Sequence, residues 1–124
     1  MSQFDPYDLT KNVIIRACAG AGKTYTLTWR YLAILNDFAK DAVNLPPEKW
    51  QGPGNILAIT FTNKAIAELH QRIRTTLTSI FNENEQNFEL DLKYLKSASN
   101  KYRNWLMKEL IHPHIMTLDA FCLM

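Results

Sequence analysis

Gly20-Ala21-Gly22-Lys23-Thr24 stands between a short β-rich run, Asn12-Val13-Ile14-Ile15-Arg16, and a helical run opening with Tyr25-Thr26-Leu27. Residues 13–17 are mostly apolar at successive positions, not alternate ones, which suits a strand buried on both faces of a parallel sheet. Gly20 and Gly22 let the backbone curl so that successive N–H groups point inward at an anion. The helix that follows aims its unpaired N–H groups and positive dipole end at the same spot. Lys23 has the reach for terminal phosphates, and the Thr24 hydroxyl suits Mg²⁺. Ala17, Cys18, Ala19, Gly20, Ala21, Gly22, Lys23 and Thr24 therefore read as a phosphate-binding loop, with Ala17 where the full pattern has glycine. The competing reading is a glycine-rich turn with an incidental lysine.

Downstream, Leu27, Tyr31, Ile34, Leu35 and Phe38 recur at helical spacing and predict a helix packed on the sheet. The pattern breaks between Asp37 and Asn55, where Pro46-Pro47 and Gly52-Pro53-Gly54 predict a surface connection. Trp50 within it is open to either a packed or an exposed position. Asn55-Ile56-Leu57-Ala58-Ile59-Thr60 is a second buried strand candidate. Ile66, Leu69, Ile73, Leu77 and Ile80 then mark one face of a long helix, with Thr62 or Asn63 as its N-cap. Leu92, Leu95, Tyr102, Leu106 and Leu110 outline a further helical region, broken near Ser97-Ala98-Ser99 and stopped by His112-Pro113-His114. Ile115-Met116-Thr117-Leu118 reads as a third strand. The order β-α-β-α-β predicts an α/β fold, a parallel sheet with helices on both faces. Ligands of such sheets bind beyond the carboxyl ends of the strands, so residues 17–24, 60–63 and 117–122 are expected to line one rim.

The 124 residues suffice for one domain at most. Fourteen basic residues against twelve acidic give a net charge of +2, so bulk charge does not point to nucleic acid and local residues must carry that case. Cys18 and Cys122 lie far apart and fit a reduced, cytoplasmic protein. The amino terminus lacks the basic and apolar regions of a signal peptide, and no run of about 18 apolar residues predicts a membrane span. His70, His112 and His114 show no metal-ligand spacing and read as surface or packing residues; Glu68, Glu83, Glu85 and Glu89 read as solvated.

In the second segment, Thr62 and Asn63 can donate to phosphate oxygens, and Phe61 offers a face on which an unpaired base can stack. Residue type alone favours the other reading, with Phe61 in the core and Thr62 and Asn63 as helix caps. Three stretches carry a family resemblance: Ala17-Cys18-Ala19-Gly20-Ala21-Gly22-Lys23-Thr24; Ile56-Leu57-Ala58-Ile59-Thr60-Phe61-Thr62-Asn63-Lys64-Ala65-Ile66-Ala67-Glu68-Leu69; and Thr117-Leu118-Asp119-Ala120-Phe121-Cys122. In this order they resemble the amino-terminal part of superfamily 1 DNA helicases of the UvrD/Rep type, most of all the RecB-like branch of helicase–nuclease proteins. The resemblance covers nearly all of residues 1–124 and implies an incomplete, RecA-like phosphate-loop NTPase domain. It implies ATP and Mg²⁺ held by residues 17–24, with Lys23 on the terminal phosphates and Thr24 on the metal. It implies single-stranded DNA gripped by Thr60, Phe61, Thr62 and Asn63, and again by Thr117 and Phe121, and helicase–nuclease partner subunits.

Three departures from the family pattern stand out. Asp119 replaces the family's usual histidine, Ala17 replaces the first loop glycine, and the only upstream glutamine is Gln3, which leaves adenine selection open. ATP hydrolysis also needs carboxylates for the metal and the attacking water, and usually an arginine. In the family these lie downstream of the position matching Phe121, so the 124 residues are expected to be a truncated amino-terminal segment. Two other functions fit part of the pattern: a non-catalytic nucleotide- or DNA-binding module, and a small phosphate-loop phosphotransferase.

Overall fold

A computed structural model describes residues 13–16, 23–82 and 91–117. Three strands, β1 (Val13–Arg16), β2 (Ile56–Thr60) and β3 (His114–Thr117), form a parallel sheet in the order β1-β2-β3. Helix α1 (Lys23–Ala42) joins β1 to β2, and α2 (Asn63–Phe81), α3 (Lys93–Lys96) and α4 (Asn100–Glu109) lie between β2 and β3. The α/β class and the parallel sheet expected from the sequence are both present.

The register ties the three strands at their carboxyl tips. Arg16 pairs with Ile59, and Thr60 pairs with Thr117. Every residue of β2 is buried, as its unbroken apolar run requires. Ile56 and Ala58 join Ile15 and the helices in one core, while Leu57 and Ile59, on the opposite face, are also buried.

Leu27, Tyr31, Leu35 and Phe38 form the buried stripe of α1, as their spacing predicts, and Leu32 widens it. The helix runs to Ala42, beyond the break expected from Asp37 onward. Ala39 and Ala42 continue the stripe at the same spacing, but their small side chains give a weak apolar signal. In α2, Leu69, Ile73, Leu77 and Ile80 are buried, each contributing about 1.5–3 kcal/mol relative to exposure.

The connection from α1 to β2 is anchored by aromatic packing. Trp50 donates its indole N–H to Leu45 O at 3.2 Å, and its ring meets Tyr102 edge-on at 5.2 Å. The Tyr102 hydroxyl donates to Gln51 O at 2.9 Å. Gly52 lies under Trp105, whose Cζ3 is 2.8 Å from where a Cβ would stand, so the close approach depends on the missing side chain.

The region after α2 is broken where Ser97-Ala98-Ser99 predicts. The Ser99 side chain caps α4 by accepting from Tyr102 N at 3.2 Å. Leu92 caps α3 without a side-chain bond of its own. Asn36, from the buried side of α1, supplies the acceptor: its Oδ1 takes Tyr94 N at 3.0 Å and Leu95 N at 3.1 Å. Arg103 holds two helix ends together, donating to Phe81 O at 3.3 Å and to Lys96 O.

Candidate functional site at the strand tips

β1 ends at Arg16 and α1 begins at Lys23, so six residues separate strand from helix. That spacing is what a loop cradling phosphates at a helix start needs. Lys23 and Thr24 are the first two residues of α1. Ala17, Cys18, Ala19, Gly20, Ala21 and Gly22 lie outside the described residues, as do Asp119, Phe121 and Cys122.

The second segment follows the neighbouring strand tip. Thr60 is 3% exposed, and its hydroxyl donates to Thr62 O at 3.3 Å, tightening the turn out of β2. Thr62 is the N-cap of α2: its backbone is extended, and its hydroxyl oxygen accepts from Ala65 N at 3.1 Å. Of the two candidates for that cap, Thr62 fills the role and Asn63 becomes the first helical residue. Phe61, between them, is 50% exposed; the turn that Thr60 and Thr62 shape holds its ring outward. The alternative that buried Phe61 in the core is therefore excluded. Asn63 and Lys64 are exposed beside it at the start of α2.

Thr117 closes β3 directly opposite Thr60 and is half-buried. Thr60 and Thr117 thus pair at the carboxyl edge of one sheet, with Arg16 at the tip of β1 and residues 61–63 directly following β2; the rest of the expected rim, residues 17–22 and 118–122, lies outside the described residues. The residues of this edge divide by task. Thr60 and Thr62 build the turn, while Phe61, Asn63 and Lys64 present a π-face, an amide and a cation to solvent.

Arg16 is the edge residue that motif reading passed over. It is exposed at the tip of β1, immediately before the loop. Its signal was a cation ending an otherwise apolar strand.

The histidines serve packing. His70 Nε2 lies 2.8 Å from Leu110 O, and only a ring N–H can donate to a carbonyl, so that nitrogen carries the proton and ties α2 to the end of α4. Among the described residues no three His, Cys, Asp or Glu side chains gather as a metal site, and no helix is long and apolar enough to cross a membrane. Two clefts lie on the helices: one of about 530 Å³ runs along α2 from Ala67 to Ser79, and one of about 410 Å³ opens between Tyr25 and Trp29 of α1 and Arg72 of α2. Neither includes a tip residue.

Comparison with known proteins agrees with the motif order. Residues 3–124 match the family model for the UvrD/REP helicase N-terminal domain. Over 115 residues, 90% of this chain, it is 31% identical to an ATP-dependent helicase/nuclease protein of Heliobacterium modesticaldum, covering 6% of that protein. The corresponding protein of Levilactobacillus brevis is 34% identical over 112 residues, 90% of this chain and 7% of its own length. The ATP-dependent DNA helicase PcrA of Bacillus subtilis is 40% identical over 65 residues, 52% of this chain and 7% of its own length. The chain thus spans less than a tenth of the length of these relatives. No solved structure matches it.

Proposed function

Because the chain belongs to the UvrD/REP helicase N-terminal domain family, we propose that it is the opening segment of an ATP-dependent DNA helicase, whose strand-tip edge takes a nucleoside triphosphate and single-stranded DNA side by side. The observation that carries this reading is the register. Arg16 beside Ile59, and Thr60 beside Thr117, bring the strand ahead of the loop and the first residue of each later DNA motif to one edge.

In this reading residues 17–24 hold ATP, with Lys23 on the terminal phosphates and Thr24 on Mg²⁺; the metal supplies charge neutralisation at the phosphates. The six-residue span before α1 fits that role. Phe61 stacks an unpaired base, and Asn63 and Thr117 donate to the sugar–phosphate backbone, together with Phe121 beyond the described residues. Thr60 and Thr62 are positioning residues that hold the Phe61 turn. Hydrolysis and unwinding belong to the longer protein. The helicase/nuclease relatives favour the RecB-like branch and a nuclease-associated complex with partner subunits; a role in DNA-break repair and a cytoplasmic setting belong to the same proposal.

The test uses the 124-residue chain, a labelled oligothymidylate read by anisotropy, and a fluorescent ATP analogue. Wild type is expected to bind both. Phe61→Ala with Asn63→Ala is expected to lose the oligonucleotide and keep the nucleotide, and Lys23→Ala the reverse. Loss of a stacked base alone corresponds to about 1–3 kcal/mol. Equal oligonucleotide affinity in wild type and the double variant would overturn the assignment. Steady-state turnover by this chain above about 1 s⁻¹, ordinary for a complete enzyme, would overturn the placing of hydrolysis in the longer protein.

A further inference from the structure

We infer that Arg16 is a further contact for single-stranded DNA, its guanidinium and the Phe61 ring forming one clamp across adjacent strand tips; the inference rests on the reading of the edge just given. Arg16 is exposed at the last position of β1. It pairs in register with Ile59, and Phe61 is two residues further along the same chain. Strand spacing and rise then put the Cα atoms of Arg16 and Phe61 roughly 8 Å apart.

The two residues stand at the same end of the sheet. Partners in register project to the same side of a sheet, so Arg16 projects with Ile59, away from the face of Ile15, Ile56 and Ala58 that packs in the helix core. β2 ends at Thr60, and Phe61 is the first residue of the turn beyond it, half-exposed at the same end of the sheet. An exposed guanidinium and a half-exposed aromatic ring at adjacent strand tips are the pairing that holds an unpaired strand: charge on the phosphate, stacking on the base.

Charge favours a polyanion at this edge. Arg16, residues 60–64 and Thr117 include two cations, Arg16 and Lys64, and no carboxylate. The balanced net charge of +2 hides this concentration. The two available anions, the polynucleotide and the triphosphate of the adjoining loop, predict different outcomes. The nearness of Phe61 along the neighbouring strand tip favours the polynucleotide.

The experiment measures oligothymidylate and fluorescent ATP-analogue affinity of the full chain over a range of salt. Arg16→Gln is expected to weaken oligonucleotide binding about five- to tenfold at low salt. It should also lower the slope of log K against log salt by roughly 0.7, one phosphate contact on a single strand. Nucleotide affinity should stay unchanged. Arg16→Lys is expected to keep the slope, and Lys101→Gln, on exposed α4 surface, to leave both quantities alone. Arg16→Gln combined with Phe61→Ala should lose less than the two single losses added, as neighbours in one site do. An unchanged slope in Arg16→Gln overturns the proposal, as does a loss of nucleotide affinity with oligonucleotide binding intact. Wild type failing to bind the oligonucleotide at all overturns the reading of the whole edge, a distinct result. Thermal midpoints of both Arg16 variants are expected to match wild type, since the side chain is exposed.

Discussion

Asn36→Ala is expected to cost this small chain a large part of its stability although it removes no apolar contact. Helix α3 has only four residues, and its own cap residue, Leu92, offers no side-chain acceptor. Tyr94 N and Leu95 N are the second and third amides of that helix, the ones an N-cap side chain ordinarily satisfies. Here the acceptor comes from α1: Asn36 Oδ1, at 3.0 and 3.1 Å, in a side chain only 9% exposed. Truncation leaves two donors without an acceptor. A buried unmade hydrogen bond costs about 1–3 kcal/mol. The Tyr94 amide is only partly buried and regains some water, so a total of about 2–3 kcal/mol follows. For a chain of this size that lowers the thermal midpoint by roughly 8–12 °C. Urea denaturation followed by circular dichroism measures the change, with an unchanged slope showing that the unfolded state is not at issue. Asn36→Asp keeps an acceptor at a helix start and is expected to lose less than the alanine variant. If both variants stay within about 0.5 kcal/mol of wild type, the range of ordinary surface substitutions, the cross-chain cap is not what holds α3 to α1.

Gly52→Ala is expected to destabilise by about 1–3 kcal/mol through overpacking, because the new Cβ meets Trp105 Cζ3 at 2.8 Å. The Gly52 backbone is extended, with φ at −169°, so Trp105→Leu should relieve most of that loss in a chemical-denaturation cycle. Thr62→Ala removes the α2 cap and should cost about 1 kcal/mol, with Thr62→Ser restoring most of it. Burial holds the Tyr31 and Tyr102 hydroxyls well above the ordinary tyrosine range, with Asp41 adding to the shift at Tyr102. The folded state therefore keeps protons that the unfolded chain gives up, and stability is full below about pH 10 and falls as pH rises beyond it. Tyr102→Phe should flatten that fall in a pH series of thermal melts, at the cost of the bond to Gln51 O.

The sheet was legible because its strands carry their environment in composition. Ile56-Leu57-Ala58-Ile59 has no polar alternation, and all four residues are buried. The stripes of α1 and α2 were legible for the same reason, since 3.6-residue spacing is a local property. What stayed hidden was non-local. Nothing near Leu92 in the sequence says that the cap of α3 sits 58 residues away at Asn36. Trp50 was undecided because its partners, Tyr102 and Trp105, lie beyond β2 and α2 in the chain. Ala39 and Ala42 extend α1 with side chains too small to stand out as core.

At the strand tips the local pattern found the residues but not their division of labour. Threonine is a phosphate donor, a turn former and a helix cap, and sequence cannot say which. The fold assigns Thr60 to the turn through Thr62 O and Thr62 to the cap through Ala65 N. Thr62 accepts in the cap and is exposed as well, so the solvent-facing residues of the segment are Phe61, Thr62, Asn63 and Lys64. Arg16 joins them for a reason that only the register supplies. In sequence it stands 45 positions before Phe61; in the sheet it pairs with Ile59, two residues from that ring. A parallel sheet thereby does what no contiguous motif can. It brings a cation from the end of β1 near an aromatic that follows the end of the next strand.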